Sequence, residues 1–143
     1  MNIRVLVATV VGGIVMTLLG WLIFGILLMN FLKPYMIHYN GLEKDPPAWL
    51  PLIIFNFAFA WLFAFIFDYW ATIRTFTGGL KGGALIMLPM VIGIDFQYMA
   101  FMNLYTSYLP VFVDIIAATV LGAIAGGVIG FVLGKMGGNP ALE

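Results

Sequence analysis

The stretch VFVDIIAATVLGAIAGGVIGFVL, residues 111–133, has a small residue at every fourth position. These are Ala118, Gly122, Gly126 and Gly130, and Gly134 continues the row. In water so much interior glycine weakens a helix, because each costs about 1 kcal/mol relative to alanine. In lipid the same row lets a second helix backbone approach closely, as in small-xxx-small packing motifs. The stretch therefore reads as a membrane-spanning helix built for close packing.

Composition agrees. Of 143 residues, 64% are hydrophobic and only 8% are charged, where a soluble domain carries roughly a quarter charged residues. Six basic and six acidic side chains cancel, so there is no net field to attract nucleic acid. Cysteine is absent, which removes disulfides, thiol catalysis and thiolate metal sites. Residues 5–32, 50–67, 80–104 and 111–133 are each long enough, or nearly so, to cross a hydrocarbon core, which takes about 20 helical residues. The first is too long for the apolar core of a signal peptide and is not followed by a cleavage site. The expected fold is all-α: one domain over 1–143, an integral membrane bundle of four transmembrane helices, with a flexible tail at 137–143.

An even number of spans puts both termini on one side, together with the connection between helices 2 and 3. That side collects Arg4, Arg74, Lys81 and Lys135, and the other holds only Lys33 and Lys44. The excess of basic residues in short flanks points to cytoplasmic termini.

In helix 2, aromatic residues occupy every second position from Phe55 to Tyr69, which is strand periodicity. A membrane strand needs a closed barrel, and no other segment alternates, so helix is the better reading. On a helix the aromatics form two rows that flank a small, polar groove of Asn56, Ala60, Ala64 and Asp68. That groove suits another helix, or a lipid or hydrophobic ligand held between the rows. In helix 3, Pro89 deletes a backbone hydrogen bond and predicts a kink.

Ionisable groups within a span are functional candidates by default. Asp95, near the middle of helix 3, is the foremost. Two readings stay open for it: a structural hydrogen bond to Trp21, a tyrosine such as Tyr98, or a freed carbonyl near Pro89; or a proton- or cation-handling site. Asn56 and Asp114 join it as candidates. Folding helices 3 and 4 into a hairpin sets Asp114 level with about Phe101, roughly 9 Å in depth from Asp95 at 1.5 Å per residue. A tight carboxylate dyad is not expected. Asp68 lies where the helix dipole disfavours an anion, so it should form a structural ion pair with Arg74 or Lys81.

His38 is the only histidine, and no metal-ligand spacing surrounds it. No phosphate loop, nucleophile elbow or serine–histidine arrangement is present. The expectation is therefore a non-enzymatic protein with no metal and no cofactor. Its leading role is association through its helices, as a homo-oligomer or with another membrane protein. The alternative is a transporter or channel for a small solute, proton or cation. The packing row Ala118, Gly122, Gly126, Gly130 and Gly134 turns by about 40° per four-residue step, so one straight partner should not cover it all. Part of the row is expected to face another chain or a lipid.

The motifs Gly20–Trp21–Leu22–Ile23–Phe24–Gly25, Val113–Asp114–Ile115, Ala125–Gly126–Gly127–Val128–Ile129–Gly130 and Leu133–Gly134–Lys135 are carried together over most of the chain. In them the sequence resembles small four-helix bacterial membrane proteins of unknown function. The resemblance implies a multi-pass protein of the bacterial inner membrane and transfers no catalytic residue.

Overall fold

The computed structural model describes residues 2–44 and 46–137. Among these, four helices are long and apolar enough to cross a membrane: α1, Ile3–Leu27; α2, Trp49–Trp70; α3, Phe76–Phe101; and α4, Leu109–Met136. The chain is an all-helical bundle of the multi-pass membrane type. Helix is the state that lets each spanning segment satisfy its own backbone groups without water. Threonines inside α1 do the same with their hydroxyls: Thr9 donates to the Val5 carbonyl at 2.7 Å and Thr17 to the Gly13 carbonyl at 2.8 Å.

The boundaries differ from the sequence expectation in ways that matter. The first helix does not run unbroken to residue 32. It widens over Trp21–Leu27, where the Leu28 amide donates to Ile23, five residues back, at 2.8 Å. A separate short turn then spans Met29–Leu32. The end of α2 widens in the same way over Ile66–Trp70. α3 runs unbroken through Pro89. It ends at Phe101, before the expected 104, while α4 starts at Leu109, before the expected 111. The tail expected to be flexible lies, beyond Gly137, outside the described residues.

The helices follow one another around the bundle. α3 packs closely on α4, α1 on α2, and α4 on α1, whereas α2 and α3 barely touch. The connections after α1 and α3 meet at one end. There Met36 and Tyr105 form an antiparallel bridge, and the Ile37 amide donates to Leu104 at 2.8 Å and that of Thr106 to Tyr35 at 2.9 Å. Tyr39 adds its hydroxyl, which donates to the Asn103 carbonyl at 2.7 Å. This is the distal end; the start of α1 and the end of α4 lie at the other.

The glycine row forms the α3–α4 contact. A Cβ on Gly83 would strike the Gly122 carbonyl, and one on Gly79 the Gly126 carbonyl. A Cβ on Gly130 would lie 2.6 Å from the Thr75 carbonyl, and one on Gly134 would strike the Arg74 carbonyl. The row from Gly122 to Gly134 thus lies against residues of the same chain, while Ala118, at its distal end, lines a cavity. One straight helix indeed cannot follow the row. The partner here is not straight: below Phe76 the chain is extended, and residues 74 and 75 cover the glycines that α3 would miss.

That extended segment is held firmly. The Ile73 amide donates to the Phe67 carbonyl at 2.9 Å, and Arg74 Nη2 pairs with Asp68 Oδ1 at 2.6 Å. The Asp68 side chain is only 5% exposed. Of the two cations expected for Asp68, Arg74 takes the place, and Lys81 is exposed. These anchors hold Thr72 at a φ of 49°, a left-handed conformation that a β-branched residue rarely adopts.

On the other side of the bundle, α1 enters the small groove of α2. Asn56, Ala60 and Ala64 are buried, and a Cβ on Gly12 would lie 3.3 Å from Ala60 and 2.6 Å from Ile129. Gly13 sits against the Phe57 ring, whose nearest atoms would be 2.7 Å from its Cβ. Phe63 and Phe67 are fully buried and stack with ring centroids 5.9 Å apart. The Phe67 ring also reaches Gly82 of α3, so α2 and α3 close on each other toward the terminal end and stay apart distally.

Candidate functional site

The distal separation of α2 from α3 opens a cavity of about 510 Å³. All four helices wall it, through residues such as Phe24, Phe59, Met87 and Leu121. The wide turn of α1 lies along one side, with Trp21, Phe24 and Gly25 on the wall. Such wide turns are rare and recur at functional sites. Gly25 matters locally, because a Cβ there would press on the Trp21 ring at 3.1 Å.

The wall is mainly apolar. Its polar side chains are Thr17, Asn56, Asp95 and Asp114, with the Trp21 indole beside them. Thr17 already donates within α1. Asp95 is 6% exposed, and its Oδ2 is buried without a hydrogen-bond partner. Its side chain comes within hydrogen-bonding reach of Asp114 on α4. The two carboxyl groups thus lie on one wall of the same cavity.

The structure therefore joins two candidates that hairpin arithmetic kept apart. The reason lies in the helix ends. Because α3 ends sooner and α4 begins sooner, the fold point of the hairpin moves toward α3, and Asp114 shifts along α3 from the level of Phe101 toward that of Asp95. The glycine contacts, Gly79 on Gly126 and Gly83 on Gly122, continued in four-residue steps set Asp114 beside Val91, one turn beyond Asp95. Each side chain leans toward the N-terminus of its own helix, so the two lean toward each other's level.

The other candidates are distributed around this pair. Asn56 is buried and lines the cavity, and so does Ala118. Trp21 lines it too, but half of its surface is exposed, and among the described residues no hydrogen bond joins it to Asp95. Tyr98 is exposed on the outer side of α3. Asp68 and Arg74 pair at the opposite end of α2, away from the cavity.

Sequence reasoning missed Tyr105. It packs against Val91, Val111 and Ile115 at the distal end. Burial pushes its phenol above the ordinary value of 10.0, and the nearby carboxylates of Asp95 and Asp114 push it the same way. Its position is set by the Met36 bridge, a contact between two connections that no local pattern announces. Nearby, His38 and Glu43 face each other at 3.9 Å on the exposed first connection.

No protein-family model, curated protein or solved structure matches the chain. The chemistry of the site must be read from its own residues. A carboxylate pair at the wall of an apolar cavity can bind a proton, a cation or a hydrogen-bond donor. The cavity size falls in the range of small-molecule sites, ~300–1,000 Å³.

Proposed function

We propose that the protein is a membrane carrier for a small solute or cation, with Asp95 and Asp114 as the group that holds a proton or the cargo. The observation that carries this reading is the Asp95 oxygen, buried without a partner beside a second carboxylate at the wall of a cavity. An ionisable group placed so deep is costly, and such groups mark proton or ion pathways. The role is one of binding and movement, not of catalysis. All four helices of one chain line the cavity. The basic residues Arg4, Arg74, Lys81 and Lys135 orient the termini toward the cytoplasm. The cavity then opens in the outer half of a bacterial inner membrane.

The test is flux in liposomes reconstituted with the purified chain. Wild type should dissipate an imposed proton or cation gradient, and Asp95→Asn should not. Wild-type liposomes as tight as protein-free ones, across pH and cations, would remove the carrier reading.

A further inference from the structure

The site also constrains what it binds. We propose that the cavity takes a lipophilic ammonium ion, an apolar aryl or alkyl body bearing a protonated amine, which enters from the bilayer between α2 and α3. This deepens the carrier reading by naming its cargo, and rests on the same carboxylate pair.

Three observations converge on this ligand class. The first is charge. Among the described residues, the ionisable groups on the cavity wall are Asp95 and Asp114, and no basic side chain lines it. The described wall offers these two carboxyl groups no counter-ion, so an ammonium ion would supply the missing charge. Asp95 Oδ2 is buried and accepts no hydrogen bond among the described residues, and an ammonium N–H supplies a donor and the positive charge together.

The second is the rest of the wall. Trp21, Phe24, Phe55 and Phe59 all line the cavity. Aromatic faces attract cations, the more so when the pair is desolvated, and they also accept an apolar body. A hydrated inorganic cation would gain little from such a surface. An organic cation gains from all of it.

The third is the entrance. Leu52 and Phe55 of α2 and Ile94 of α3 line the cavity and are exposed. These helices barely touch, so the cavity mouth lies on the surface that faces hydrocarbon. A ligand that partitions into lipid reaches the mouth directly. Its amine then finds the carboxylates at the inner wall.

The experiment compares naphthylethylamine with its neutral analogue naphthylethanol, each titrated calorimetrically into the full chain in nanodiscs, with empty nanodiscs subtracted for partition. The amine should bind saturably and about tenfold or more tighter than the alcohol, the ratio expected from one charge-assisted hydrogen bond. Asp95→Asn, combined with Asp114→Asn so that no carboxylate remains on the wall, should weaken the amine to the level of the alcohol and leave the alcohol unchanged. Gly20→Leu is a second variant. Gly20 lines the cavity, and a Cβ there meets only Leu121 at an ordinary 3.6 Å. The larger side chain should fill the cavity and weaken both probes together, which keeps the test decisive if the double variant fails to fold.

Equal binding of amine and alcohol to wild type would overturn the assignment, as would an amine unaffected by both variants. Selective amine binding without flux in the liposome assay would uphold the ligand and remove the carrier role. Asp95-dependent flux of protons or inorganic cations without amine binding would do the reverse.

Discussion

Replacing Gly126 by alanine adds one methyl group at the tightest part of the bundle. The new Cβ would lie 2.5 Å from the Gly79 carbonyl oxygen, 2.8 Å from the Gly83 Cα and 3.1 Å from the Gly83 nitrogen. All three are backbone atoms of α3, so no side chain can rotate away, and the helices must part by nearly 1 Å. A gap of about 0.5–1 Å already forfeits a quarter to a half of each van der Waals contact across it. In lipid that loss is serious, because helix association there rests on packing rather than on hydrophobic transfer. Overpacking costs about 1–3 kcal/mol, and the backbone contacts place Gly126→Ala at the upper end. Better helix propensity returns up to about 1 kcal/mol, leaving a net loss of about 2 kcal/mol. Gly93→Ala is the matched control, since a Cβ there meets nothing within 4 Å. It should be neutral or stabilising by up to about 1 kcal/mol. The two variants should then differ by about 3 kcal/mol, more than a hundredfold in the folding equilibrium. Unfolding by sodium dodecyl sulfate titrated into mixed micelles, followed by tryptophan fluorescence, measures the difference. Coincident unfolding curves for the two alanine variants would refute the close α3–α4 register.

Two further substitutions test other parts of the fold. Arg74→Ala strips Asp68 of its partner at 2.6 Å. Breaking a buried pair costs about 3–5 kcal/mol, and the partial exposure of Arg74 lowers the expected loss to about 2–3 kcal/mol; thermal unfolding in detergent reads it, and a melting temperature equal to wild type would contradict the anchoring role. Tyr39→Phe removes the hydrogen bond to the Asn103 carbonyl, worth about 0.5–1.5 kcal/mol. The Ile37 and Thr106 amides, which tie the two distal connections together, should exchange their hydrogens faster than in wild type while those of α4 keep their protection.

Much of the fold was legible because hydrocarbon is a simple solvent. A segment that crosses it has to be apolar, long and hydrogen-bonded within itself, and each property can be read locally. That is how helix prevailed over the alternating aromatics of α2, and why the small residues of α1 and α2 pack together. The candidate site was legible only in part. Asp95, Asp114, Asn56 and Trp21 stood out as polar groups in apolar runs, and all four line one cavity. Their grouping did not stand out, because an error of two or three residues at each helix end shifts every level of a hairpin. Tyr105 escaped notice because a tyrosine in a connection has no signature until the opposite connection pairs with it.

By itself the sequence determined that this chain forms four helices fit to cross a membrane, and which of them have backbones bare enough for close approach. The tertiary structure decided what those backbones approach, and therefore what remains free. The glycine row is consumed within the chain because residues 74 and 75 leave the helical path and follow it. Asp95 meets Asp114 because depth in a bundle depends on where neighbouring helices end. Contact in a membrane is decided by register, and register is a property of two segments at once.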